Sequence, residues 1–139
     1  MESEYINVDG YLIAKDRRYT KTDEWAKLEG DVVVVGITDY AQKKLRDIVG
    51  VELPEKGRRV KRGEAVASIE SVKAAADVYA PVDGEIIEVN EELYDAPELL
   101  NQKPYEAWMF KIKVDDPKQY EELLTPEEYA EYIRSRESK

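Results

Sequence analysis

A chain of 139 residues, 42% of them hydrophobic, is long enough for one domain with a real core and too apolar to be disordered throughout. With 31 acids against 21 bases its net charge is -10, which speaks against nucleic acid as a partner, because phosphate binding needs a clustered positive surface. It has no Cys and no His, so the thiolate nucleophile, the commonest general base and the commonest metal ligand are all missing, and neither catalytic residues nor a metal site are expected.

Residues 1–16 read as an N-terminal extension held down by Tyr11, Leu12 and Ile13. This stretch has early acids and no long apolar run, unlike a secretory signal or a transit peptide, and the longest aliphatic run, "VVVV" at 32–35, is far short of a membrane span. The expected location is cytoplasmic, with no membrane partner. From residue 17 to 135 the signals are dense enough for a single domain, followed by a tail over 136–139. Trp25 to Leu28 and Asp31 to Val35 read as strands around the turn "EGD". Thr38 reads as an N-cap, with Ala41, Leu45 and Ile48 at helical spacing and Gly50 as the stop. "VGVELP" is a strand, and Gly57 and Gly63 bracket a short basic one containing Arg58, Arg59 and Lys61. With Lys56 and Arg62 these form the nearest thing to a basic cluster, read as a solvated strand edge.

Ala65 to Val72 and Val78 to Val82 alternate as two strands, "EIIEV" and "AWMFKIKV" are further strands, and Pro97 to Asn101 suits one helical turn. Trp25 and Trp108 fall in alternating stretches and read as core. The chain closes with two capped helices. Asp116 and Pro117 start the first, and "TPEE" is a capping box for the second, with Thr125 as cap and Glu128 three residues on. The fold class that follows is mainly antiparallel β with peripheral helices.

The stretch "SIESVKAAADVYAPVDGEI" puts one lysine, Lys73, between two strands with Ser71 before it and Ala74, Ala75 and Ala76 after it. An enzyme that modifies a lysine must take the amine into its own active site, so the amine has to protrude among small neighbours on a rigid support. A solvated turn lysine is the plain alternative. Gly63 and Gly84, ten before and eleven after, are placed to turn the flanking strands.

"ESVKAAADVYAPVDGEIIEVN" resembles the lipoyl-attachment hairpin of the glycine cleavage system H protein family. "YTKTDEW", "VGITDYAQKKL", "VELPEKG", "PELLNQKPY" and "WMFKIKV" match that family's pattern in order, over about residues 19 to 133. Biotin carriers usually have Met on both sides of the lysine, and lipoyl domains of 2-oxoacid dehydrogenases usually have Asp before it; here Val72 and Ala74 flank Lys73. The resemblance implies a barrel-sandwich hybrid of the lipoyl and biotinyl type. It also implies a non-catalytic carrier with lipoic acid amide-linked to Lys73, the attachment segment comprising Glu70, Ser71, Val72 and Ala74. Glu70 would belong to the surface read by the lipoylating enzyme.

The implied partners are glycine decarboxylase (P protein), aminomethyltransferase (T protein) and dihydrolipoyl dehydrogenase (L protein), visited in turn by a monomer. The missing His and Cys then make sense, because the sulfur chemistry comes with the cofactor and the catalytic bases reside in the partners. Matched by motif, the arm and its aminomethyl cargo would fold into a cleft lined by Thr22, Glu24, Ile37, Leu45 and Asp77, with the carboxylates facing an ammonium.

The chain departs from the family pattern at several positions. Asp23 and Tyr40 stand where His is common, Arg46 and Ala107 where Gly is usual, and Gly50 where a bulky apolar residue is usual. A guanidinium at Arg46 is expected to reach Glu24 or Asp77 and alter the cleft. That keeps a second pathway open, such as lipoate-dependent sulfur oxidation, beside the remoter readings of a biotin carrier or an unmodified scaffold.

Overall fold

The structure, a computed structural model, describes residues 3–138; Met1, Glu2 and Lys139, the outermost residues of the expected extension and tail, lie outside the described residues. In chain order it runs β1 (Tyr5–Val8), β2 (Tyr11–Ala14), β3 (Arg18–Tyr19), β4 (Glu24–Glu29), β5 (Val32–Ile37), α1 (Asp39–Leu45), β6 (Ile48–Glu52) and β7 (Arg59–Val60). Then follow β8 (Ala65–Ser71), β9 (Ala75–Tyr79), β10 (Gly84–Val89), the single-turn helices α2 (Glu92–Asp95) and α3 (Leu99–Gln102), β11 (Phe110–Val114), α4 (Lys118–Glu121) and α5 (Pro126–Glu137).

All pairings between these strands are antiparallel. A six-stranded sheet, in the order β3-β4-β5-β11-β10-β7, packs against a three-stranded sheet, β6-β8-β9, and β1-β2 forms a separate hairpin. This is the mainly antiparallel sandwich with peripheral helices that the sequence predicts.

Strand β5 shows why "VVVV" is so apolar. Side chains alternate across a sheet, and both faces of β5 are covered. Val33, Val35 and Ile37 join the core between the two sheets with Ile69, Val78 and Ile112. Val34 joins a second core on the other face, with Trp25, Tyr19, Ile13 of β2 and Tyr129 and Ile133 of α5. The first hairpin and the last helix are therefore packed parts of the fold.

Several elements differ in extent from their sequence reading, three of them with a clear cause. Helix α1 ends at Leu45 and not before Gly50, because Arg46 turns the chain at φ 65, ψ -145, and Ile48 becomes the buried first residue of β6. Strand β9 lies at 75–79, not 78–82; its alanines pair with the end of β8, Ala75 with Glu70 and Ala76 with Ile69. Helix α5 continues through Arg136 and Glu137, where a tail was expected. Both are anchored, Arg136 on Asp23 and Glu137 on Tyr40 and Lys44. Thr125 and Glu128 form the capping box as read. Trp25 is buried, whereas Trp108 precedes β11 and is half-buried under the Lys111 ammonium, 4.7 Å from its ring.

Candidate carrier site

Lys73 sits at the tip of the β8–β9 hairpin. Glu70 pairs with Ala75, and one step further the Ser71 N–H donates to the Ala74 carbonyl at 2.8 Å. The Ser71 hydroxyl completes the turn. Its Oγ accepts the N–H of Ala74 at 3.0 Å and that of Lys73 at 3.3 Å, and it donates to the Ala74 carbonyl at 3.0 Å. A short side chain thus supplies the acceptor that a tight turn needs, which is why serine suits this place.

From the other side the Val72 N–H donates to the Asp47 carbonyl at 2.9 Å, so the segment before β6 pins the tip. That segment is itself fastened by Asn101. Its Oδ1 accepts the Ile48 N–H at 2.9 Å, and its Nδ2 donates to the Arg46 carbonyl at 2.8 Å and to Gln42 Oε1 at 3.0 Å. Val72 is 68% exposed, and Lys73 and Ala74 are exposed beside it. Glu70 is exposed next to Gly50, whose missing side chain leaves the Glu70 carboxylate open on that side; a Cβ there would stand 3.7 Å from Oε1.

A second group of polar side chains gathers at the far end of β9. Glu24, the first residue of β4, is only 1% exposed. Its Oε2 accepts the backbone N–H of Tyr79 at 3.0 Å, and its Oε1 accepts the Thr22 hydroxyl at 2.5 Å and the Thr20 hydroxyl. Burial pushes this carboxyl up to about 7, and the hydrogen bonds from Thr20, Thr22 and Tyr79 pull only partly the other way. Near neutral pH the group therefore exists in both protonation states. Thr20, Thr22, Glu24 and Tyr79 line an open cavity of about 390 Å³ together with Pro81 and Leu123.

The other residues assigned to the cleft are placed differently. Ile37 stands opposite Glu24 in the β4–β5 register but is buried in the core. Leu45, at the end of α1, packs half-buried against the core two residues before Asp47, near the hairpin tip. Asp77 is exposed on β9, two residues or about 7 Å from Tyr79 and on the same face of the strand. None of the three lines the cavity that Thr22 and Glu24 share. The sequence reading passed over Thr20 and Tyr79. Thr20 has a sequence signal, since "TKTDE" places two hydroxyls just before the glutamate, whereas the Tyr79 contact is made by a backbone N–H that any residue supplies.

The departures at Asp23, Tyr40 and Arg46 also have a structural account. Asp23 and Tyr40 meet on Arg136, which binds the Asp23 carboxylate through two N–H···O contacts and lies 4.4 Å from the Tyr40 ring. Arg46 enters no ion pair with Glu24 or Asp77, contrary to expectation; among the described residues the ion pairs are made elsewhere. In the basic cluster, Arg58 pairs with Glu64, Arg59 with Asp115 and Arg62 with Glu122, which neutralises much of that edge. No helix of the described residues is long and apolar enough to cross a membrane.

A lysine with small neighbours held out on a doubly pinned hairpin is the arrangement of a carrier protein. The family described as "Glycine cleavage H-protein" matches residues 17–136. The chain is 65% identical over 127 residues to the probable glycine cleavage system H protein of Aeropyrum pernix, covering 91% of this chain and 89% of that one. It is 60% identical over 124 residues to the glycine cleavage system H protein of Thermus thermophilus, covering 88% and 97%. The crystal structure of a glycine cleavage system H protein from Mycobacterium marinum superposes with a TM-score of 0.80 at 39% identity, covering 88% of this chain and 99% of that one.

This chain belongs to the glycine cleavage H-protein family. It is a non-catalytic carrier subunit, and the family to which it belongs carries lipoate for glycine cleavage.

Proposed function

We propose that this protein carries lipoate on Lys73 and shuttles the one-carbon amine unit of glycine among glycine decarboxylase, aminomethyltransferase and dihydrolipoyl dehydrogenase, as a cytoplasmic monomer. The observation that carries the reading is the presentation of Lys73. Its hairpin is pinned by Ser71 from within and by Asp47 just before β6, and its neighbours Ala74 and Ala75 are small and exposed. The residues present therefore suit an amide-linked arm, with room for a modifying enzyme to close around the tip. When attached, the lipoyl group would supply a disulfide that opens to take up the unit on one sulfur while the other is reduced.

The chain's own residues bind and shelter. Glu24 stands at the root of the same hairpin, dry enough that a cation is attracted with little screening. Asp77, between Lys73 and Tyr79 on β9, adds a second carboxylate along the path. Glu70, left open by Gly50, is the contact offered to the lipoylating enzyme. The departures that kept another lipoyl pathway open add no opposing charge at Glu24, since Asp23 and Tyr40 are engaged by Arg136 and Arg46 does not pair with Glu24. That favours glycine as the source of the cargo.

The test has two stages. Incubation with lipoate ligase, ATP and lipoate adds one lipoyl group to the intact mass, and Lys73→Arg abolishes the gain. Glycine decarboxylase and glycine then load the lipoylated protein. A protein that accepts biotin instead, or one that is lipoylated yet stays unloaded while another H protein is charged, overturns the reading at the corresponding stage.

A further inference from the structure

We infer that Arg136 is a positioning residue: from the last turn of α5 it fixes the turn that carries Thr22 and Glu24, and so sets the geometry in which Glu24 receives its cationic cargo. The inference rests on the role of Glu24 proposed above and extends it to a helix remote from Lys73.

The turn between β3 and β4 has a left-handed residue and is held from outside as well as from within. Asp23, next to Glu24, stands at φ 72, a left-handed conformation uncommon for a residue other than glycine, though aspartate adopts it more readily than most. Part of the hold is internal, through the hydrogen bonds that join Thr20 to Asp23 and Glu24, and most of the rest comes from α5. Arg136 donates from Nη1 to Asp23 Oδ1 at 2.7 Å and from Nη2 to Oδ2 at 3.0 Å, and the Tyr129 hydroxyl donates to Oδ1 at 2.8 Å. The Tyr132 hydroxyl donates to the Lys21 carbonyl at 2.9 Å. Tyr129, Tyr132 and Arg136 are three and four residues apart, so they form one stripe along the helix, and that stripe grips the turn at both ends.

Arg136 is itself held in place. Its guanidinium lies 4.4 Å from the Tyr40 ring and 4.8 Å from that of Tyr132, and the fork meets the carboxylate with both nitrogens. A lysine offers a single point charge and cannot reproduce this contact. The Tyr129 hydroxyl is committed to Asp23, so Thr38, the N-cap of α1, must donate to Tyr129 across their 2.8 Å contact. The Thr38 N–H also donates to the Asp23 carbonyl at 3.1 Å. The chain of support runs from α5 through Asp23 to Glu24, and from Glu24 to Tyr79 at the root of the hairpin. None of the α5 side chains in this chain touches Glu24 directly, so Arg136 acts through Asp23.

The test uses the full chain and two readouts. In the unmodified protein, amide exchange at Tyr79, whose N–H is held by Glu24, becomes at least tenfold faster in Arg136→Met and shifts partway in Arg136→Lys. Exchange at Val72, held by Asp47, does not change. In the lipoylated protein, Arg136→Met lowers the kcat/KM of loading by glycine decarboxylase about tenfold while lipoylation of Lys73 proceeds at its normal rate. Glu24→Gln loses at least as much, and the double variant loses no more than Glu24→Gln alone. Unchanged Tyr79 exchange, or losses that multiply in the double variant, overturns the positioning role. A parallel loss at Val72 and in lipoylation means general destabilisation and overturns it too. Normal loading of Glu24→Gln removes the cargo role of Glu24, and the inference falls with it.

Discussion

The Glu24 carboxylate and the Tyr79 backbone N–H meet at 3.0 Å, joining the first residue of β4 in one sheet to the last residue of β9 in the other. β9 is the edge strand of its sheet, so its outward N–H groups have no neighbouring strand to bind. Glu24 occupies one of them and ends the open edge six residues from Lys73. The carboxylate proposed to receive the cargo is thus also a fastening of the hairpin that presents the arm.

This dual role gives a pH dependence with a definite sign. The Glu24 carboxyl is raised from 4.5 to about 7 in the folded protein because burial disfavours its charge. Between those values the folded state binds more protons than the unfolded state, so stability falls as pH rises through that window and is level above it. The shift corresponds to about 3 kcal/mol. Glu24→Gln stays neutral, so its stability relative to the parent chain should improve from pH 4.5 to pH 7.5. Urea unfolding at a series of pH values measures the difference, and a constant difference would show that Glu24 titrates as an ordinary carboxyl.

Ser71 should matter more for modification than for stability. Its Oγ takes part in three hydrogen bonds that shape the turn around Lys73. Ser71→Ala removes them, and unfolding free energy falls by about 1 kcal/mol, the usual net worth of a hydrogen bond. The amine is then presented from a looser turn, and lipoylation should slow several-fold, with Lys73→Arg as the zero. Equal rates for Ser71→Ala and the parent chain would mean that the ligase orders the turn itself.

What was legible in the sequence was what periodicity and turn chemistry report. The alternation of β8, the Thr125 capping box and the protruding Lys73 all follow from local spacing, and local spacing survives folding. The fate of Ile48 did not follow. Its distance from Leu45 fits a helix face, but Asn101, some fifty residues away, binds the Arg46 carbonyl and the Ile48 N–H and starts a strand there. The cleft was legible only in part for a similar reason. Thr22 and Glu24 lie together in the chain and share a cavity, whereas the place of Asp77 relative to Glu24 depends on how β9 meets β4. The role of Arg136 had no local signal, because its partners are Asp23 and Tyr40 at the other end of the sequence.

Arg46 gives a stability prediction that runs against its bulk. It holds φ 65, ψ -145, close to a region that glycine alone occupies without strain, and two backbone hydrogen bonds keep it there. Arg46→Gly removes steric strain of about 1–3 kcal/mol, partly offset by the greater freedom of glycine in the unfolded chain. A net gain of about 1 kcal/mol, or about 3 °C in Tm, is expected. Arg46→Ala keeps the Cβ and should gain nothing. Calorimetry on both variants separates strain relief from the loss of a surface charge, since Ala and Gly remove the same charge and only Gly removes the strain.

Gly84 is a different kind of glycine. The sequence suggested a turn, yet Gly84 begins β10 and pairs with Val114 of β11 on one side and Val60 of β7 on the other. Its need is for space. A Cβ at this position would stand 2.1 Å from the Lys113 carbonyl oxygen and 2.5 Å from Ile112 Cγ2. The first of these is backbone in the middle of a sheet and cannot swing aside, so Gly84→Ala must push β10 and β11 apart near the core. A loss of about 3 kcal/mol or more is expected, in the range of severe core overpacking. Gly63→Ala is the informative contrast. Gly63 stands at φ 85 with open space around the position of a Cβ. Its substitution meets only backbone strain, of about 1 kcal/mol. Urea unfolding of the two variants should therefore rank Gly84→Ala well below Gly63→Ala; the opposite order would mean that the sheet yields at Gly84 and that the turn is the stiffer element.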